Sequence, residues 1–255
     1  MHDLAAIFLH HADDATTRNN LACVRHYNPG VPVVPLSNWG VTLPGGFHPR
    51  DMTRGWRRLL PAFRGRGLAG AWRRYRLDLD KAWVWRNVDL ATYLWIAWPG
   101  RPIQARRWVI LEWDVYCNTA LANWYAPNWN DAVASTSIQL PGRNDDFYFF
   151  NDRERSAVPA AYRASFMATN PWAGMMLSDE ALTAVAQRVR QSNWCNGFCE
   201  LRVATAARSL GYEPAVLRNP LAARTLRAPT QFTLADIDVP SVWHRVKQHD
   251  RLTLN

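Results

Sequence analysis

Lysine is nearly missing from this 255-residue chain: of its 30 basic residues only Lys81 and Lys247 are lysines, and the rest are arginines. A formal charge of +9 written almost wholly in arginine reads partly as genomic base composition, which weakens the step from charge to phosphate contacts. No helix-turn-helix, zinc or RNA-binding signature accompanies it, so nucleic acid is not expected as a partner. Cysteine is scarce as well. Cys23, Cys117, Cys195 and Cys199 match no zinc spacing, and they fit reduced, structural thiols in a cytoplasmic protein. No apolar run approaches the roughly 18 residues of a membrane span. The apolar stretch from Leu4 to Leu9 follows Asp3 and leads straight into His10, His11, Asp13 and Asp14, which does not fit a secretory signal. A Gly-x-Ser-x-Gly nucleophile elbow is absent, which argues against a serine hydrolase. Internal repeats and low-complexity tracts are absent too.

What is present suffices for a core: 48% of the residues are hydrophobic, ample for one large domain or two small ones within 1–255. Leu4–Leu9 reads as a strand. A helix capped by Thr16 or Thr17 and running to about Tyr27 follows, stopped by Asn28-Pro29-Gly30. Val31–Leu36 reads as a second strand, and Pro32 and Pro35 suggest an exposed edge or a strand end. Strand, helix and strand within about thirty residues form a βαβ unit and imply a parallel sheet.

The most informative stretch runs from Arg107 to Cys117. Trp108–Leu111 is an apolar, β-branched and aromatic run that reads as a buried strand. Glu112 and Asp114 stand at its C-terminal end, two residues apart, and on a strand that spacing directs both carboxylates to one face. Ligands of open α/β sheets bind beyond the carboxyl ends of the strands. Paired carboxylates there suit a hard divalent cation, Mg2+ or Mn2+.

The remaining pattern is consistent with helices on such a sheet. Trp83–Trp98 is helical in period, Asp131–Leu140 reads as a strand, and Asn144–Asp152 as a loop. Ser178 caps a helix that begins Asp179-Glu180, and a last strong helix spans about Phe198 to Leu210, closed by Gly211.

In this order the segments resemble the nucleotide-sugar glycosyltransferases of the GT-A fold. The resemblance covers most of the chain outside 40–76. It implies a single α/β, Rossmann-like domain with a mostly parallel central sheet flanked by helices. Glu112-Trp113-Asp114 resembles the family's DXD motif, with Glu at the first acid. The resemblance implies that Asp114 binds the metal bridging the donor diphosphate and that Glu112 touches the donor sugar or ribose. Arg86-Asn87 resembles an Arg-Asn pair that lies near the nucleotide. Phe198-Cys199-Glu200-Leu201-Arg202 resembles the helix that supplies the general base, here Glu200, with Asp179 or Glu180 as substitutes. His244, just before Val246-Lys247, resembles the C-terminal histidine that completes the metal site, with Lys247 as a donor contact. Together these imply a metal-dependent transfer from a nucleotide-sugar donor to a glycan or lipid-linked acceptor.

Aromatic residues add expectations. Trp124, Tyr125, Trp129 and Trp172 read as loop residues near the site, and flat rings stack on sugars and bases. Trp172 is the first choice for the donor, because Gly174 follows it and permits close backbone approach. Between Arg50 and Arg76, nine arginines against the single acid Asp51 form a basic insert at about 40–76. Trp56, Leu59, Leu60, Phe63, Leu68 and Trp72 interleave with them. That pattern fits either a solvated excursion packed partly on the core or peripheral contact with an anionic membrane at its inner face.

Overall fold

The computed structural model describes residues 1–38, 41–48, 86–143, 150–194, 197–226 and 230–246. The arginine-rich stretch 50–76, Lys247 and most of the 144–152 loop lie outside them.

The chain opens with β1 (His2–His10), α1 (Ala15–Tyr27) and β2 (Val33–Ser37). The helix cap is Asp14 rather than a threonine: its side chain accepts from the Thr17 amide at 2.8 Å. A carboxylate is the stronger acceptor at a positive helix end. β1 and β2 pair in parallel, from Ala6 opposite Val33 to His10 opposite Ser37.

The next described helix, α2 (Asp89–Ala97), is shorter than the 83–98 pattern suggests. β3 (Ala105–Glu112) then pairs in parallel with β1, setting Leu9 opposite Glu112. It is followed by β4 (Val115–Cys117) and α3 (Leu121–Tyr125). The segment 131–140 is two strands instead of one: β5 (Val133–Ser135) belongs to the main sheet and β6 (Ser137–Gln139) to a side ribbon. Thereafter come α4 (Asp152–Ala157), β7 (Ala168–Asn170), β8 (Met176–Ser178), α5 (Asp179–Gln191) and α6 (Cys199–Ser209). The last elements are β9 (Ala215–Val216), α7 (Ala222–Thr225) and β10 (Val242–His244).

The main sheet has the order β2-β1-β3-β8-β5-β9, and only β8 runs against the other five strands. Its central strands are buried on both faces, and alternation along β1 shows why. Ala5, Ile7 and Leu9 enter one core with Trp95 of α2, Val185 of α5 and Val203 of α6. Leu4, Ala6 and Phe8 enter a second core with Leu21 and Val24 of α1 and Leu121 of α3. β3 divides likewise, Trp108 and Ile110 against Val109 and Leu111. Continuous apolar runs are what a parallel sheet covered on both sides requires. The fold is therefore α/β, a mostly parallel central sheet flanked by helices. No helix among the described residues is long and apolar enough to cross a membrane.

Two glycines hold positions that other residues cannot take cheaply. Gly211 ends α6 at φ +87°. Gly174, at φ +82°, is pinned between elements: its amide donates to Ile110 O, and its carbonyl accepts from the Tyr125 hydroxyl. A Cβ there would lie 2.5 Å from Leu226 Cδ1. Gly174→Ala is expected to destabilise the protein by about 2 kcal/mol or more, from left-handed strain and overpacking together. For a chain of this size that lowers the melting temperature by roughly 4–8 °C, readable by calorimetry.

Candidate metal centre

The site begins where β3 ends. Glu112 is the last strand residue, and the chain then turns through Trp113 and Asp114 before β4. The two acids therefore do not share a face of one strand, as simple alternation suggests; the turn brings Asp114 back. Asn20 of α1 holds that turn, donating to Trp113 O at 2.8 Å, and the His11 ring meets the Trp113 ring edge-on at 4.8 Å.

The third donor arrives from the far end of the chain. β10 pairs antiparallel with β4, setting His244 opposite Val115, and the Val246 amide donates to Asp114 O at 2.7 Å. His244 Nε2 consequently lies 3.6 Å from Asp114 Oδ1 and 3.8 Å from Glu112 Oε2, and donor atoms of all three residues fall within 4.8 Å of one another. Arg245 Nε stands 3.6 Å from Asp114 Oδ2 on the other side.

The donor set fits a hard divalent cation. Two ligand atoms each about 2.1 Å from one ion can stand no more than about 4.2 Å apart, and both measured separations from His244 satisfy this. Asp114 and His244 are only 3% and 4% exposed, while Glu112 is half-buried. A carboxylate so deeply buried needs positive charge nearby; Arg245 supplies part of it. Asp114 and His244, with Glu112 beside them, could hold such an ion, which would supply Lewis-acid stabilisation of developing negative charge when bound.

Other predicted residues are placed differently. Glu200 sits in the first turn of α6, half-buried. Burial raises its carboxyl above the ordinary 4.5, against hydrogen bonds from the Cys199 thiol and from the Glu200 and Trp172 amides that favour the charged form. Burial, then the nearby charges of Glu200 and Asp89, raise the pKa of the neighbouring Cys199 thiol. Asp179, the alternative base, is already engaged, pairing with Arg101 at 3.0 Å and accepting from Trp108 Nε1 at 2.7 Å. Glu180 accepts from the Tyr212 hydroxyl at 3.2 Å on the exposed side of α5.

Arg86 and Asn87 both make contacts within the protein. Arg86 pairs with the buried Glu154 and lies over the Phe198 ring, 4.3 Å from its centroid. Asn87 is buried and accepts from Arg202 Nη2 at 2.9 Å. Arg202 also grips Asp89 through two hydrogen bonds of 2.7 and 2.6 Å, and both side chains are wholly buried. The pair Arg86-Asn87 thus anchors α6 to the start of α2. Nothing in the local sequence marks Arg202 as its partner, 113 residues beyond Asp89.

The aromatic expectation is also corrected. The Trp172 ring is fully buried in the core and offers no face for stacking, and the close approach at Gly174 is to Leu226. Trp124 and Tyr125 are buried on α3; Trp129 alone of the four is partly exposed, beneath Arg107. Sequence reading missed His10, which ends β1 beside the site. Burial lowers its pKa to about 4, so it is neutral at pH 7.

No family model and no curated protein matches the sequence. Among solved structures, mouse xyloside xylosyltransferase 1 in its apo form is similar, at 11% identity and a TM-score of 0.44, over 84% of this chain and 85% of that one. At this distance the likeness does not bear on function, which rests on the site itself.

Proposed function

We propose that the chain is a metal-dependent glycosyltransferase, moving a sugar from a nucleotide-sugar donor to a glycan or lipid-linked acceptor with Mn2+ or Mg2+. The observation that carries this reading is the convergence of Glu112, Asp114 and His244 at the C-terminal end of β3, where open α/β sheets place their ligands. The DXD-like motif and the C-terminal histidine, separated by 130 residues in sequence, form one donor set.

The remaining roles follow from placement and chemistry. Glu112, the most exposed of the three, faces the donor sugar or ribose. Lys247 lies outside the described residues, and its role as a donor contact is proposed from its place in the sequence beside Val246. Glu200 acts as the base that takes the proton of the acceptor hydroxyl, which favours direct displacement with inversion. A carboxyl raised by partial burial is better matched to that task than an exposed glutamate.

Glu200→Gln is expected to lower turnover by about a hundredfold or more while donor binding stays near normal. The pH profile supplies a second readout. A base works ionised, and a raised pKa moves the acidic limb of kcat/KM upward, to an inflection above 4.5. That limb should vanish in Glu200→Gln. Normal turnover in the variant, or an unchanged acidic limb, would remove Glu200 from the reaction.

A further inference from the structure

About half of the described arginines are paired with an acid, among them Arg18 with Asp13, Arg101 with Asp179, Arg202 with Asp89, Arg218 with Asp131 and Arg224 with Asp238. Arg155 and Arg163 are among those that are not. Among the described residues, neither has a carboxylate within ion-pair distance; the contacts they make are with the Phe166 ring and the Val158 carbonyl.

The two come from separate elements and meet across one concavity. Arg155 belongs to α4, and Arg163 to the 3-10 turn Ala160–Ser165. Two adjoining cavities, about 360 and 430 Å³, are both lined by Arg155, Arg163 and Phe166. The larger also reaches Arg208 in the last turn of α6, with Leu140 and Pro141. Arg208 has only a long contact of 3.7 Å to Glu213, itself 74% exposed, and solvent screens such a pair. The guanidinium of Arg155 is steered by the Phe166 ring, 5.7 Å from its centroid, and Arg163 by its bond to Val158 O at 3.4 Å.

We propose that this concavity is an oxyanion site, taking a phosphate or sulfate ester whose organic part lies against Leu140, Pro141 and Phe166. Guanidinium groups bind tetrahedral oxyanions through paired N–H donors, and several on one anion give both strength and orientation. Three like charges around one hollow repel each other until an anion sits between them. A cavity of a few hundred Å³ suits a single ester with its sugar or similar group, rather than a flat bilayer or a polymer backbone. None of Glu112, Asp114 and His244 lines the concavity, so a chelator that keeps metal from that centre leaves this site able to bind.

The test is calorimetric titration of the full chain, with chelator present and no donor, in phosphate-free buffer of low ionic strength. The probes are inorganic phosphate, inorganic sulfate, glucose 6-phosphate and glucose 6-sulfate. One equivalent of ester should bind, more tightly than the matching inorganic ion, and the phosphate and sulfate arms identify which ester is preferred. Arg155→Gln with Arg163→Gln should weaken binding about tenfold or more, as expected for losing charge-assisted bonds. Arg163→Lys keeps the charge without the fork and should fall between. Arg106→Gln, an exposed arginine paired with Asp3, should change nothing. Failure of every probe to bind, or equal affinity in the double variant with its circular dichroism unchanged, would overturn the proposal.

Discussion

Asp114→Asn is expected to abolish both Mn2+ binding and sugar transfer while leaving the fold intact. Asp114 is the most buried of the three donors and stands between His244 on one side and Arg245 on the other. The amide has nearly the same shape but carries no charge, so it cannot match the carboxylate as a hard oxygen ligand. The loss should exceed the ~10–100-fold typical of substitutions that only support a ligand. In the apoprotein the same change removes a buried negative charge, so the melting temperature should be unchanged or higher; a stabilising effect of manganese should be present in the wild type and lost in the variant. Electron paramagnetic resonance of free Mn2+ reads the binding directly. Wild-type affinity in the variant would sink the assignment of the centre.

The second large effect is structural. Burial alone lowers the pKa of Arg202, but the charge and hydrogen bonds of Asp89 outweigh it and hold the guanidinium firmly protonated. Arg202→Met would leave the Asp89 carboxylate buried without its partner and deprive Asn87 of its donor. Breaking one side of a buried pair costs about 3–5 kcal/mol, a large part of the stability of an ordinary domain. Because Arg202 lies two residues from Glu200 on α6, the same variant should also disturb the candidate base. Adding Asp89→Leu removes the stranded charge, and urea unfolding should then recover most of the loss. Equal stabilities for the single and double variants would show that the charge pair is not what holds α6 to α2.

The legible parts of the fold were those set by local chemistry. Unbroken apolar runs in β1 and β3 announced strands, and Ser178 and Gly211 mark helix ends by rules that operate within one turn, whereas the first helix is capped by Asp14 and not by the expected Thr16 or Thr17. The 131–140 segment misled because the chain passes from the main sheet to the side ribbon at Thr136, and no periodicity records a change of partner. Trp172 misled for a related reason: a tryptophan before a flexible glycine looks like a stacking platform, whereas the ring fills the core and the glycine yields to Leu226. Of the site, the acids were visible from their position at the end of a strand. Their geometry was not, since the Trp113-Asp114 turn and the β4–β10 ladder depend on contacts across more than a hundred residues. Arg86-Asn87 resembled a nucleotide contact because sequence alone does not reveal Glu154 and Arg202 waiting inside.

The most direct measurement is a panel of nucleotide sugars examined with and without Mn2+, followed by thermal shift and by release of nucleoside diphosphate. A donor present at about a hundred times its dissociation constant should stabilise the native state by roughly 2.7 kcal/mol. The account predicts that at least one donor does so only with the metal, that its diphosphate is released, and that Asp114→Asn shows neither response. Stabilisation and release that persist in chelator and in Asp114→Asn, or a full panel that produces neither in the presence of Mn2+, would contradict it.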